Sequence, residues 1–261
     1  MGMMNDGCTA LAWKTDSFSV AGQNWDWEEG QKARLVILHI KPRQDGTVPR
    51  PKISLATEAG ILSKSGLNSA GVAVFINAIR AKGIKFDALP IHIALRTVLD
   101  CESRLKAIAR LRSLTLGTSG HIMIADQTGG TSIEFSHMDI AQLEMVDGQI
   151  AHTNHFLVKH DPAVSDSLIF PDSLHRQERI TVLLREARQE VQKGLTPTES
   201  LDKMLEDEDG FPTSINRKTS PHGKTETLYS FVADLNAKTA CIRLGRPTAC
   251  EGVWHFDPAG L

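Results

Sequence analysis

The sequence lacks several features that would indicate particular classes of protein. It contains no run of about 18 apolar residues, so we expect no transmembrane helix. The formal net charge is only −2, which gives no reason to expect nucleic acid or an anionic membrane as a partner. The first residues show no basic segment followed by an apolar one, so the sequence predicts no secretory signal.

Cysteine is also scarce. The chain of 261 residues has only Cys8, Cys101, Cys241 and Cys250, and no two of them form a CxxC pair. A chain of this length does not need a disulfide framework to fold. We therefore interpret all four as reduced thiols of an intracellular protein. Only Cys8 has a position that chemistry could use.

The order of predicted elements favours an α+β fold. Apolar residues make up 41% and charged residues 23% of the chain, which is typical of a globular protein. Strands are predicted at 9–14, 19–22, Leu35–Ile40, 53–57, 71–76, 121–125, 131–136, 142–146, 149–153, 227–234 and 240–244, and helices from Pro90, at 103–111, at 173–193 and after Thr196. Segregated blocks of strands and helices indicate antiparallel sheets with helices layered outside them.

Two local patterns give more detailed expectations. The apolar run Leu35–Ile40 is long enough for a buried strand. Asp147-Gly148 is a strong two-residue turn signal, and it predicts that strands 142–146 and 149–153 form a hairpin.

Asp6-Gly7-Cys8 is the segment that most strongly indicates chemistry. If the bond between Gly7 and Cys8 is cut, Cys8 becomes an N-terminal residue that carries a thiol and a free amine. That amine has an ordinary pKa of roughly 7.7–8.0, close to the value that suits a general base near neutral pH. Cys8 would then be a nucleophile with its own base. The alternative is an unreactive thiol in a tail or a core strand.

Asp26 lies between Trp25 and Trp27, at the end of the hairpin that begins at Cys8. Because tryptophan is costly to expose, we expect the two indoles to anchor a pocket wall or the sheet. Asp26 would then be held near the start of the first strand. The alternative is a turn aspartate that caps backbone amides.

Asn154 lies in His152-Thr-Asn-His155, at the end of a predicted strand. Its amide group is a donor suited to stabilising an oxyanion, which is worth roughly 3–4 kcal/mol in a transition state. His152 and His155 point to opposite faces of a strand at this spacing, so we predict no metal shared between them.

Five motifs together resemble one protein family. They are Asp-Gly-Cys-Thr at 6–9, Gly-Gln-Asn-Trp-Asp at 22–26, Glu-Phe-Ser at 134–136, His-Thr-Asn-His at 152–155 and Arg-Leu-Gly-Arg-Pro at 243–247. In this order they resemble the acyl-coenzyme A:6-aminopenicillanic acid acyltransferases. These are also called isopenicillin N acyltransferases, or peptidase C45, and they are N-terminal nucleophile (Ntn) hydrolases. The resemblance runs over nearly the whole chain.

The resemblance implies an αββα sandwich and self-cleavage between Gly7 and Cys8, with 1–7 as a short pro-segment and 8–261 as one β-subunit-like domain. It implies that Cys8 is the nucleophile, that Asp26 lies beside it, that Asn154 forms the oxyanion hole and that Ser136 supports processing or activity. It implies no metal and no bound cofactor. The expected partners are a small acyl donor, with acyl-CoA as a co-substrate, and an amine acceptor.

The sequence departs from the family pattern in two places. Family precursors carry a long segment before the cysteine, so this chain resembles the β-subunit portion, and a separate α-subunit-like segment is a candidate partner. The family also has a Gly-x-Ser-x-Gly stretch with an arginine, where this chain has His-Gly-Lys-Thr-Glu at 222–226. Lys224 could supply the positive charge and Thr225 the hydroxyl, although lysine cannot copy a bidentate arginine.

The C-terminus also differs from the peroxisomal tripeptide that some members of the family carry. The chain ends Ala-Gly-Leu and lacks the basic middle residue of that signal, so we expect a cytoplasmic location.

Three functions remain open from the sequence. The first is an acyltransferase/amidohydrolase that moves an acyl group between a CoA thioester or penicillin-type amide and an amine such as 6-aminopenicillanic acid. The second is a linear-amide hydrolase or peptidase of the same fold without CoA use. The third is an inactive, truncated homologue.

Overall fold

Two antiparallel β-sheets form the centre of the molecule, and helices cover the outer face of each. The computed structural model describes residues 7–44, 46, 49–164 and 171–261, so Asp6 and the rest of 1–6 lie outside it. The strands are β1 Gly7–Lys14, β2 Ser19–Glu28, β3 Leu35–Ile40, β4 Ile53–Glu58, β5 Ser65–Asn68, β6 Ala73–Asn77, β7 Gly120–Asp126, β8 Gly129–Phe135, β9 Ile140–Glu144, β10 Gln149–His152, β11 Thr225–Asp234, β12 Thr239–Leu244 and β13 Gly252–Phe256. The helices are α1 Ile91–Leu99, α2 Arg104–Arg112, α3 Pro171–Gln192 and α4 Pro197–Leu205.

The sheets stack on each other with one pair of helices on each side. The six-stranded sheet has the order β10-β1-β2-β11-β12-β13, and the seven-stranded sheet runs from β3 to β9 in sequence order. Helices α3 and α4 pack on the six-stranded sheet, and α1 and α2 pack on the seven-stranded sheet. This α-β-β-α layering confirms the predicted α+β class.

Strand β1 shows why the layers form. Successive side chains of a strand point to opposite faces. Cys8, Ala10 and Ala12 therefore lie in the core between the two sheets, whereas Leu11 and Trp13 lie in a second core under α3 and α4. The small alanines let the sheets approach closely, and β1 is buried on both faces.

The turn at Asp147-Gly148 forms, but the predicted hairpin is wrong. Both residues have positive φ (51° and 73°), as a two-residue turn of this type requires. The two strands then separate after the single bridge Val146–Gln149, because β9 pairs with β8 while β10 pairs with β1. The turn therefore connects the two sheets.

Other differences come from tertiary context. Strand β3 forms where predicted, but it is the edge of its sheet, so its residues are half-buried or exposed rather than buried. The sequence prediction missed the short strands β5 and β13. Helix α1 begins one residue later than expected, with Pro90 at the N-cap.

The helix ends follow the local signals. Ser103 caps α2 by accepting a hydrogen bond from the backbone of Lys106, and Thr196 and Glu199 form the predicted capping box of α4. Among the residues that the structure describes, no helix combines the length and apolar character that crossing a bilayer requires.

Candidate active site

Cys8 is held at the start of β1 by polar side chains on both sides of its backbone. Its thiol faces the core between the sheets, and the residue is fully buried. Its N–H donates to Asn154 Oδ1 at 2.8 Å. Its carbonyl accepts from Arg176 Nη1 at 2.7 Å and from Asn77 Nδ2 at 3.2 Å. Side chains from three separate segments therefore fix the backbone of one residue.

Asn154 follows β10 and lies against Cys8, although 146 residues separate them in the chain. Its Oδ1 also accepts from Arg176 Nη2 at 2.9 Å, while its Nδ2 donates to the Ala78 carbonyl at 3.0 Å. Two donors on one oxygen fix which end of the amide faces Cys8. The donor group that an oxyanion would need is thus close to Cys8, but it is bonded to Ala78. The role of Asn154 as an oxyanion donor stays a prediction.

Asp26 lies opposite Gly7 in the pairing of β1 with β2, and it is fully buried. Thr227 Oγ1 donates to its Oδ1 at 2.7 Å, and Arg217 Nε lies 3.5 Å from its Oδ2. Burial raises the pKa of Asp26 to about 6, while the charges of Arg217 and Arg176 act in the opposite direction. Asp26 is therefore a carboxyl group that titrates close to neutral pH.

The two arginines share a second carboxylate. Asp172, at the start of α3, forms ion pairs with both Arg217 and Arg176. Arg176 is fully buried and Arg217 is 2% exposed. Two aspartates and two arginines thus form a network of balanced charge in which only Asp172 is partly exposed, and this network contacts the backbone at Gly7 and Cys8.

The sequence prediction missed these arginines. Arg176 lies on the buried side of α3, together with Ser173, Ile180, Leu184 and Ala187. A charged residue at a position of the buried stripe is the signal that could have revealed it, because buried arginines need a specific partner. Arg217 lies in a loop and gives no comparable signal.

A β-bulge in β11 arranges the side chains around Cys8. The register shifts between Thr227 and Tyr229. As a result, Thr227 faces Asp26, whereas Tyr229 lies in the core between the sheets with Cys8 and Trp25. Trp25 is paired directly with Cys8 in β2, so the predicted role of the tryptophans in anchoring the sheet agrees with its position.

Ser136 lies apart from Cys8, at the end of β8. Its Oγ donates to Asp139 Oδ1 at 2.5 Å and accepts from the backbone of residues 138 and 139. Asp139 is bonded to His160, and His160 and His152 both bond Glu134. The link from Ser136 to the strand that carries Asn154 is therefore indirect.

Glu134 is the centre of this second network. Burial alone would raise its pKa, but hydrogen bonds from His152, the Leu157 backbone and His160 lower the pKa of Glu134 overall. The His152 ring stacks on His121 with 3.7 Å between ring centroids, and burial lowers the pKa of His121 well below its usual value. The described segments contain no group of three metal-ligating side chains that could hold a metal ion.

Lys224 and Thr225 lie at the N-terminal end of β11, before Thr227, whose hydroxyl contacts Asp26. Lys224 is exposed, and its carbonyl accepts from the Glu29 backbone. Thr225 is paired with Glu28, one pleat beyond the level of Asp26. The positive charges beside Asp26 come instead from Arg217 and Arg176.

Comparison with solved structures identifies the fold. The fold is similar to that of conjugated bile acid hydrolase from Clostridium perfringens, with a TM-score of 0.65 and 14% identity over 96% of this chain and 92% of that one. It is also similar to penicillin V acylase from Agrobacterium tumefaciens, with a TM-score of 0.54 and 14% identity over 96% and 86% of the two chains. The architecture is therefore that of the Ntn hydrolases, as the resemblance implied.

Comparison of sequences identifies the family. A family model described as acyl-coenzyme A:6-aminopenicillanic acid acyl-transferase matches residues 13–249. The 40 kDa form of acyl-coenzyme A:6-aminopenicillanic-acid-acyltransferase from Emericella nidulans is 38% identical over 247 residues. The chain belongs to this family. The alignment covers 93% of this chain and 65% of that relative, so the chain spans about two thirds of the relative's length.

Proposed function

We propose that the chain is an acyltransferase/amidohydrolase whose nucleophile is Cys8 after cleavage of the bond between Gly7 and Cys8. The observation that carries this proposal is the support of the Cys8 backbone. Buried Asn154, Arg176 and Asn77 side chains bond its N–H and carbonyl groups. A strand that only fills a core has no need of such groups, because buried polar side chains are costly to accommodate.

Cleavage begins with attack of the Cys8 thiol on the Gly7 carbonyl. The peptide bond shifts to a thioester, the Cys8 nitrogen becomes a free amine, and water then hydrolyses the thioester to release 1–7. Glycine fits this position because a Cβ on residue 7 would lie 2.9 Å from Arg217 Nε. In this proposal 1–7 is a pro-segment and 8–261 is the catalytic domain.

The mature Cys8 amine then takes the thiol proton. The thiolate attacks the carbonyl carbon of an acyl donor, such as a CoA thioester or a penicillin-type amide. The bond to the leaving group breaks, and the departing thiol or amine takes the proton from the Cys8 ammonium; the incoming amine or water later supplies a proton in its place. Asn154 Nδ2 has two N–H groups, of which one donates to the Ala78 carbonyl and the other donates to the oxyanion of the tetrahedral intermediate. Attack on the resulting thioester by an amine gives an amide, and attack by water gives an acid. Either step returns the proton and the free thiol to Cys8.

Asp26 supports the new amine in this scheme. Asp26 is paired directly with Gly7, the residue before the nitrogen that cleavage frees. A pKa of about 6 leaves it ionised at neutral pH, so it stabilises a protonated amine. We assign supporting roles to Ser136, which fixes a turn, and to Lys224 and Thr225 at the end of β11. A separate α-subunit-like segment stays a candidate partner, and the cytoplasmic location stays a prediction.

The mature N-terminus tests the proposal. Intact mass of the folded chain should show loss of 1–7, and Cys8→Ala should keep full length. Mature protein incubated with an acyl-CoA and 6-aminopenicillanic acid should form the amide. Free acid without amide would instead favour the hydrolase. A wild-type chain that stays full length and behaves like Cys8→Ala would show that the mechanism is wrong and favour an inactive homologue.

A further inference from the structure

A buried ion pair lies on the same side of the sheet as the Cys8 thiol. Lys64 immediately precedes β5 and Glu58 ends β4, and they are 3% and 6% exposed. Lys64 Nζ pairs with Glu58 Oε2. The ammonium group also lies over the Trp25 ring, 3.9 Å from its centroid, and 5.7 Å from the centroid of Trp27.

The pair is close to Cys8. Trp25 is directly opposite Cys8 in the pairing of β1 with β2, and both side chains enter the core between the sheets. Burial lowers the pKa of Lys64, whereas Glu58 and a charge on Cys8 raise it. The charge on Lys64 therefore interacts electrostatically with a charge on Cys8.

The pair has unused hydrogen-bonding capacity. Within the described part of the chain, Glu58 Oε1, Ser63 Oγ and Trp25 Nε1 are buried without a hydrogen-bond partner. The Lys64 ammonium has three N–H donors, and Glu58 is its one ion-pair partner among those residues. Burying charges costs more than a buried ion pair usually returns in stability, so such a pair is weak evidence for a structural role. The unused donors of Lys64 and Trp25 suit an anionic group.

The neighbouring space suits the other half of a substrate. A cavity of about 280 Å³ lies between the sheets, with walls formed mainly by Leu35, Ile37, Ala56, Ile242 and Leu244. Tyr229 also lines it, and the Tyr229 hydroxyl is 2.9 Å from the Oγ of Ser65, the residue after Lys64. These apolar walls fit an acyl chain. Lys32 also lines the cavity, but its ammonium is already paired with Glu226 and Glu251. A charged group would instead find its partner at Lys64.

We propose that Lys64 binds a carboxylate carried by the amine half of the substrate and so selects amines that bear one. This inference rests on the proposed function, in which an amine is released from or attacks an acyl group on Cys8. Glu58 holds the ammonium in place, and Trp25 Nε1 is the second donor to the carboxylate. Lys64 is thus a specificity-determining residue.

The test compares an acid with its neutral ester. Mature wild-type protein, Lys64→Met, Lys64→Arg and the exposed control Lys82→Met are assayed with octanoyl-CoA and either 6-aminopenicillanic acid or its methyl ester. Hydrolysis of the matching octanoyl amides is followed in parallel. Wild type and Lys82→Met should favour the acid by roughly tenfold or more in kcat/KM, as expected for a charged hydrogen bond. Lys64→Met should lose this preference, chiefly through KM for the acid, and Lys64→Arg should keep part of it.

Two further measurements separate this inference from the proposed function. Loss of 1–7 by intact mass reports on the proposed function, and alkylation of Cys8 by iodoacetamide reports on the thiol in Lys64→Met. Any effect of the Lys64 charge on the thiol slows the reactions of acid and ester equally, so the acid-to-ester ratio tests the inference. An equal loss of rate with acid and ester, together with slower alkylation, would show that Lys64 acts on the thiol and would overturn the inference. Binding of 6-aminopenicillanic acid and its ester, measured by calorimetry, needs no turnover. Equal affinity of wild type for both would also overturn it.

Discussion

Adding a single methyl group at Gly7 should destabilise the uncut chain, because Arg217 occupies the space that a side chain needs. A Cβ at this position would lie 2.9 Å from Arg217 Nε and 3.0 Å from both Cζ and Nη2. The guanidinium cannot move freely, since it pairs with Asp26 and Asp172 and is almost fully buried. Gly7→Ala must therefore shift the network or the start of β1.

Overpacking of this kind costs about 1–3 kcal/mol. A loss of about 2 kcal/mol lowers Tm by roughly 4–8 °C for a chain of this length. Cys8→Ala keeps the chain uncut, so thermal unfolding of Cys8→Ala with and without Gly7→Ala measures the effect directly. With Cys8 present, Gly7→Ala should also slow the loss of 1–7 in a time course of intact mass.

Gly30→Ala is the matched control, since no atom lies within 4 Å of a Cβ built there. It should change Tm by less than about 1 °C, because it creates no contact. If Gly7→Ala is as stable as the uncut parent and is cleaved at the same rate, then Arg217 does not determine the residue at position 7.

Two further variants test the electrostatics of the site. Arg176→Met should lower the free energy of unfolding by about 3–5 kcal/mol in a urea titration, since it removes one buried, charged donor from the Cys8 carbonyl, Asn154 and Asp172 and leaves the charge network unbalanced. Rescue by Arg176→Lys would contradict this, because one ammonium cannot reach all three. Burial lowers the pKa of His155 to about 4, so this residue should contribute a loss of stability as pH drops from 6.5 towards 4, of roughly 2 kcal/mol between pH 7 and 4.5 and separate from that of buried His121. His155→Gln should remove most of that loss and the exposed His255→Gln should not, and equal losses in all three proteins would refute the assignment.

The layers of the fold could be predicted from the sequence because they depend on local patterns. The side chains of β1 alternate between two cores, and the capping box at Thr196 begins α4. The spacing of apolar residues and the helix-capping residues were therefore sufficient to predict these elements. Sheet membership could not be predicted in the same way. The turn at Asp147-Gly148 obeys its local chemistry, but pairing with β1 and β8 directs its two strands to different sheets.

The residues of the candidate site also differ in whether local sequence patterns predict their positions. The hairpin of β1 and β2 predicts that Asp26 lies close to Cys8, since the two strands are adjacent in the chain. Asn154 was recognised as a candidate oxyanion donor from its amide group, but only the resemblance to a family assigned it to the same site as Cys8, because no periodicity reports a contact across 146 residues. Arg176 and Arg217 were missed because amphipathic patterns record apolar residues, whereas these positions are set by buried charge.

The three side chains that form hydrogen bonds with the Cys8 backbone would also hold in place the N-terminus that cleavage before Cys8 creates. Chain termini usually fray unless they are tied to the rest of the fold. Cys8 lies on a strand with β10 on one side and β2 on the other, and its own N–H and carbonyl are anchored to Asn154, Arg176 and Asn77. Cleavage before Cys8 would therefore create an N-terminus that is held in place from the moment it forms. Its amine and thiol would already be positioned relative to the surrounding side chains.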